Sequence, residues 1–402
     1  MRVGVGYSDN PDSEAAGRQA AREALREAGR EGPCDLVLLF STARHDAGIL
    51  REAVASEVGR DVPIVGGGAV GAISKDKYGY AGDQVILAVF HFEGVQCGFF
   101  AEPGLLDGEV DTGRRLGRKL AANGTTPQSP VLLFYDAIDR TKGDLRLIMA
   151  TYLLEGLEQG LGFLPHLTGA GLQGDYLCTP TEEWLGDAVG SHNALALAFS
   201  GTVRMDCTIM HGCRPAAGPY TVTRADRQTI LEINNQPALR FVDKVLGSSI
   251  SPDEYPFFLI FGVNKGDKWA DFNEKNYANR LCLAIDKERD GIIMFEPDLV
   301  EGTEFQIMHR SLDLGYMPPR MEELFTKLGT AREPVFALYI NCAGRAAGYA
   351  GVDLEDAVIL QKTLAGRVPL LGIYSGVEIA PIEGRPRGLD WTGVFCLFSV
   401  PK

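Results

Sequence analysis

Three sets of short polar residues follow runs that read as buried strands. Ser41, Thr42 and Arg44 close the first run, Asp136, Asp139 and Arg140 the second, and Asn341, Cys342 and Arg345 the third. Each set puts small hydrogen-bonding groups beside a guanidinium. An Arg can clamp a carboxylate through two parallel hydrogen bonds, and an Asp can hold an ammonium group, so the combination suits an amino-acid-like ligand. Ligands of α/β sheets gather outside the carboxyl ends of strands, where these residues fall. Tyr374 and Glu378 lie beside glycines and offer a site for a cation or an amine, while Arg214, in Gly-Cys-Arg-Pro, offers one for an anion. The alternative for each residue is local: a helix cap, a solvated loop, or a carboxylate bound to backbone N–H groups.

Catalysis and metal binding have weaker signatures. Cys342 near Arg345 has a setting that lowers a thiol pKa, but a covalent mechanism also needs a His base brought close by the fold. Cys207, His211 and Cys213 form the one local group of soft ligands. A structural zinc site wants four ligands and close Cys pairs, and no Cys-x-x-Cys occurs, so neither a metal nor a cofactor is called for. Two runs, Gly66 to Gly71 and Gly169 to Gly174, match G-x-G-x-x-G. A dinucleotide site requires a helix after the glycines, and neither run is followed by a helical period. Gly67, Gly68 and Gly171 are instead read as strand glycines that let a ligand or a neighbouring strand approach the backbone.

The elements behind these residues recur. Asp35 to Arg44, Pro130 to Arg140 and Pro334 to Arg345 each open a segment with a short, continuous apolar run, as fully buried strands do. A helical stretch follows, then a glycine-containing strand (Pro63 to Gly71, Pro165 to Gly174, Pro369 to Gly376), then a closing strand (Gln84 to Phe92, Asn193 to Phe199, Gly393 to Ser399). Asp46 is placed to cap the first helix and Gly59 to end it; Asp144 is placed to cap the second; the third runs from about Asp353 to Gly366. The internal repeat implies a mixed-sheet α/β protein with strand-helix-strand-strand units, helices on the outer faces, and strand tips facing one shared hollow. Different material intervenes: strands from Val203 to Met210 and from Tyr220 to Ile233 with a turn at Arg224 to Arg227, a helix opened by Pro237, a hairpin from Leu281 to Glu296, and a helix from Pro319 to Leu328. Two domains are expected, 1–202 and 203–402.

Composition narrows the function classes. The 402 residues carry 39 Lys and Arg against 53 Asp and Glu, a net charge of -14, which argues against a nucleic-acid partner. No apolar run approaches the roughly 20 residues that span a bilayer, and the first residues lack a secretory pattern. Eight dispersed cysteines read as reduced thiols of a cytoplasmic protein.

Several stretches together resemble one family. His211 to Asp226 and Ile230 to Leu239 resemble the opening of FIST C-terminal domains. Gly372-Ile-Tyr-Ser-Gly-Val-Glu-Ile-Ala-Pro381 is similar to the family's G-x-Y-x-x-G-E-I-x-P signature, with Val377 where the pattern has Gly, and Asn341 to Arg345 resembles its C-x-x-R element. The Ser41 region and Gly66 to Gly71 are similar to the N-terminal domain. The resemblance implies an intracellular sensory module that binds a small molecule such as an amino acid. It would signal through a separate protein, and a homodimer suits such a sensor. One branch of the family binds haem to sense nitric oxide; His211 is the corresponding axial-ligand candidate here. An enzyme using Cys342 as nucleophile is the other alternative.

Overall fold

A computed structural model describes every residue except 30–32 and 248–249. Three six-stranded sheets share one arrangement. In the first, Leu36–Ser41 and Ile64–Gly68 run parallel, Val85–His91 lies antiparallel beside Leu36–Ser41, and Arg2–Ser8 lies beyond it. The second repeats this order with Pro130–Asp136, His166–Leu172, Asn193–Gly201 and Val95–Pro103. The third does so with Arg332–Cys342, Leu370–Ser375, Gly393–Pro401 and Arg204–Met210.

Each sheet is completed by a strand from another segment. Glu183–Gly186, from the second segment, pairs with Ile64–Gly68 of the first sheet. Val377–Ile382, from the third, pairs with His166–Leu172 of the second, and Gly71–Ile73, from the first, pairs with Leu370–Ser375 of the third. The glycine runs therefore lead from strand to strand, not into helices. Gly66 and Gly169 cross so close to the carbonyls of Leu39 and Leu133 that a Cβ would collide with them. Their service is to strand packing.

The inner faces of all three sheets share one apolar core. Phe40 meets Phe134, and Phe336 meets both Phe90 and Phe398, in edge-on or tilted contacts with centroids 5.1 to 5.5 Å apart. Each outer face carries two helices: Ser13–Ala28 with Ala47–Val58, Glu109–Ala122 with Ala150–Leu161, and Met317–Leu328 with Asp356–Leu364. Asp46 accepts the Ile49 N–H at 2.8 Å as a cap should, and Gly59 ends that helix. A seven-stranded sheet formed by residues from Cys213 to Arg310, with helix Ala238–Leu246 in its apolar core, is the remaining layer.

Three local expectations shift. The second helix starts at Ala150, not at Asp144, because Arg146–Leu147 pairs with Ile138–Asp139 as a short ribbon. The third starts at Asp356, and the turn expected at Arg224 falls at Arg227 and Gln228. The cap of the second helix is tertiary. Glu296, buried in the seven-stranded layer, accepts the N–H groups of Ala150 at 3.1 Å and Thr151 at 3.0 Å, and also the Thr151 hydroxyl. Replacing a capping carboxylate by Ala costs about 0.5–2 kcal/mol of stability. Glu296→Ala is accordingly expected to lower the denaturant midpoint in urea, with the largest loss of hydrogen-exchange protection in the first turn after Met149.

Candidate functional site

Arg345 leaves the end of strand Arg332–Cys342 in a single 3-10 turn. Only 6% exposed, it would be costly without partners, and it has many. Asp356 receives its Nη2 at 2.6 Å and its Nε at 3.0 Å. Asn341 Oδ1 also accepts Nε, and the His211 carbonyl accepts Nη1 at 3.0 Å. Nη2 donates to the Tyr316 hydroxyl at 2.8 Å. Tyr316 stands just before helix Met317–Leu328 and Asp356 begins the neighbouring helix, so one guanidinium ties both outer helices of the third sheet to the strand tip. Coulombic attraction to Asp356 holds this guanidinium protonated against the opposing effect of burial.

Arg345 forms part of the wall of a cavity of about 460 Å³ between the seven-stranded layer and the third sheet. Phe258, Met308, Leu354 and Trp391 supply apolar wall, and Arg310 supplies charge. The Arg310 guanidinium sits 4.3 Å from the centre of the Trp391 ring and donates to the Phe257 carbonyl at 3.1 Å. Among the described residues no carboxylate lies within ion-pair distance of it. Burial lowers its pKa from the ordinary arginine value, the response of a cation without a counter-charge.

A second cavity, of about 440 Å³, opens at the tip of the first sheet and includes Ser41, Thr42, Gly68 and Thr181. It has no lining residue in common with the first. The strand tips thus open on separate cavities, a correction to the shared hollow expected from the repeat. The loop after strand Glu304–Arg310 lines the one and the loop of Thr179 to Glu182 lines the other, and neither has a helical or strand period that gives its position away.

The remaining candidates divide between these places and purely structural duties. Asp139 accepts the Thr141 N–H at 2.8 Å and pairs with Arg146 at 3.0 Å, fixing a turn. Arg140 donates to the carbonyls of Leu177 and Cys178 and fastens a loop. Arg44 is exposed. Gly67 and Gly171 are packed against Leu172 and Tyr135. Tyr374 donates to Glu355 at 2.9 Å. Glu378, fully buried, accepts the Ser375 hydroxyl at 3.1 Å and the Thr392 N–H at 3.3 Å; burial raises its pKa well above the carboxylate range. Cys342 is 5% exposed, and burial raises its thiol pKa, the reverse of an activated nucleophile. Arg214 lies over Phe272 beside a smaller cavity of about 370 Å³.

The FIST N domain matches residues 35–236 and the FIST C domain matches residues 238–381. The chain belongs to the FIST family. The stretch from His211 to Asp226, which resembles the opening of FIST C, falls inside the FIST N match, whereas Asn341 to Arg345 and Gly372 to Pro381 fall inside FIST C. Similar proteins include an uncharacterized protein of Mycobacterium bovis, 27% identical over 99% of both chains, and one of Mycobacterium tuberculosis, 26% identical over 99% of this chain and all of its own. Among solved structures, a cyanuric acid hydrolase from A. caulinodans aligns at 12% identity and a TM-score of 0.36 over 99% of both chains. PurLQS from Thermotoga maritima aligns at 10% identity and a TM-score of 0.20, over 99% of this chain and 72% of its own. Scores this low bear on neither fold nor activity.

Within the FIST fold, Arg310 and Trp391 are the site residues that motif reading passes over. A signal exists for Arg310, which ends strand Glu304–Arg310 and so obeys the strand-end rule used for Arg345. Haem does not fit at His211. Its ring is fully buried, Nδ1 accepts the Cys213 N–H at 2.9 Å, and Nε2 donates to the Glu274 carbonyl at 3.1 Å. Both ring nitrogens are engaged, and no group of three or more potential metal ligands occurs among the described residues.

Burial lowers the His211 pKa from 6.5 to about 4. Between those values the unfolded chain binds a proton that the folded protein refuses, so this stabilising contribution is complete above pH 6.5 and fades as pH falls toward 4. Asp136, raised by burial to about 6, acts with the opposite sign over an overlapping range. The readout is therefore the stability difference between the protein and His211→Asn, a variant that retains an acceptor for Cys213. That difference is expected to shrink by about 2 kcal/mol from pH 7 to pH 5, as followed by urea unfolding.

Proposed function

We propose that this FIST protein is a cytoplasmic sensory protein that binds a small amino-acid-like carboxylate in the Arg310 cavity and signals through a separate protein. The observation that carries this reading is the Arg310 guanidinium, half-buried on Trp391 and without a carboxylate partner. A ligand carboxylate would supply the missing counter-charge in a bidentate pair, and an apolar ligand body would lie against Phe258, Met308 and Leu354. Membership of a sensory family supports the same reading, as does the position of Arg345 and Tyr316 between the cavity wall and two outer helices. Those helices form a route by which occupancy reaches the surface. The shared strand order of the three sheets supports reading the chain as three copies of one unit. No helix among the described residues is long and apolar enough to cross a membrane.

Leucine and phenylalanine are expected to raise the thermal midpoint in proportion to the logarithm of ligand concentration, while their amides do not. Arg310→Gln should weaken carboxylate binding by about 10- to 100-fold, the range for losing hydrogen bonds to a charged group. Equal binding of acid and amide in isothermal titration calorimetry would overturn the reading.

A further inference from the structure

The three sheets differ at one corresponding position. Gly66, Gly169 and Gly372 each cross a strand of their own sheet, paired with Leu39, Leu133 and Tyr339 respectively. Two residues further on stand Gly68, Gly171 and Tyr374. In the third sheet the Tyr374 ring fills the space beyond the strand and packs edge-on against Tyr80 at 5.4 Å. In the second, the Tyr135 ring fills it, 2.8 Å from where a Cβ on Gly171 would lie. In the first no ring enters; Thr181 and Gly174 come within 3.0 and 3.1 Å of where a Cβ on Gly68 would lie, and the cavity of about 440 Å³ lies alongside them. Its size falls in the range of small-ligand sites.

The lining has a consistent polarity. The hydroxyl of Ser41 donates to the Thr42 carbonyl at 3.2 Å, that of Thr42 to the Gly82 carbonyl at 2.7 Å, and that of Thr179 to Asp175 at 2.6 Å. His45 donates through Nε2 to the Asp83 carbonyl at 3.0 Å and accepts the Ser13 hydroxyl through Nδ1. The protons of these groups are engaged inward, and the oxygen lone pairs remain. Thr181, 1% exposed, lies beside Asp136 without a hydrogen bond of normal geometry. Exposed Glu182 is the one acidic residue of the lining, and among the described residues no Lys or Arg lines the cavity. A wall rich in acceptors and free of cations selects a donor of positive charge.

We infer that the cavity at Ser41, Thr42, Gly68 and Thr181 is a second ligand site, specific for the primary ammonium group of a small aliphatic amine. It is independent of the carboxylate site at Arg310, which has a different lining and the opposite charge preference. The ammonium is held by the Ser41, Thr42 and Thr181 oxygens with Glu182 as counter-charge, and Gly68 is required because a side chain there would press on Thr181 and Gly174.

Putrescine, butane-1,4-diol and butyrate, titrated calorimetrically into the 402-residue chain, test this. Putrescine is expected to bind and the other two not. Thr181→Val keeps the shape and removes the hydroxyl; it should weaken putrescine by about tenfold or more. Because the removed hydroxyl is buried and poorly paired, the melting temperature of the ligand-free variant should be unchanged or higher, which separates loss of the site from loss of the fold. Arg310→Gln should leave putrescine affinity as it is. Absence of putrescine binding at millimolar concentration, equal binding of the diol, or wild-type affinity in Thr181→Val would each overturn the assignment, whatever the outcome with carboxylates.

Discussion

Backbone hydrogen bonds between exchanged strands hold the architecture together. Gly71–Ile73, Glu183–Gly186 and Val377–Ile382 each leave the sheet that their segment builds and pair with the next. An exposed sheet edge presents unpaired N–H and C=O groups, which are costly to bury without partners. Here each edge beyond the parallel pair is closed by a strand from elsewhere in the chain. The consequence is mutual dependence: no sheet completes its hydrogen bonding until its neighbour has formed. The shared core of Phe40, Phe134, Phe336 and Phe398 adds apolar burial to the same coupling.

That geometry sets the demand on the glycines. A chain that passes from a parallel strand straight into another sheet must cross its partner closely, and Gly66 and Gly169 meet carbonyl oxygens where any side chain would collide. The strand tips are then left as the places where polar groups can gather, each tip with a different neighbour. The third has the seven-stranded layer against it, which closes the Arg310 cavity. The first has the loop of Thr179 to Glu182, which closes the hydroxyl-lined one.

Electrostatics separates the two cavities. Arg345 is neutralised by Asp356 and organised by four further hydrogen bonds, so it acts as a fixed piece of wall. Arg310 next to it is not neutralised. Around Ser41 the lining has Glu182 and, among the described residues, no Lys or Arg, while the nearby Asp136 and Glu183 are pushed by burial toward their neutral forms. A protein with a net charge of -14 thus keeps one half-buried arginine without a carboxylate partner among the described residues.

By itself the sequence determined the strands of the three repeated units, the mixed α/β class, the family, and the strand-end placement of Ser41, Thr42, Asn341 and Arg345. Short-range signals suffice for these: continuous apolar runs, the Asp46 cap and Gly59 stop, and glycines without a following helical period. It did not reveal Arg2–Ser8, Ser13–Ala28 or Glu109–Ala122 as part of the three-sheet arrangement, because the strand-helix-strand-strand pattern begins after each of them. Asp144 has the composition of a cap but not the neighbours; Glu296 has the neighbours, from far along the chain, and takes the role. Asp139, Arg140 and Glu378 have the residue types of a ligand site, yet their hydrogen bonds are met by Thr141, Leu177 and Ser375. Whether a polar side chain faces a ligand or a neighbouring backbone depends on which distant segments close around it. Only the tertiary structure decides that, because the desolvation that makes such a group binding or structural is created by packing across the chain.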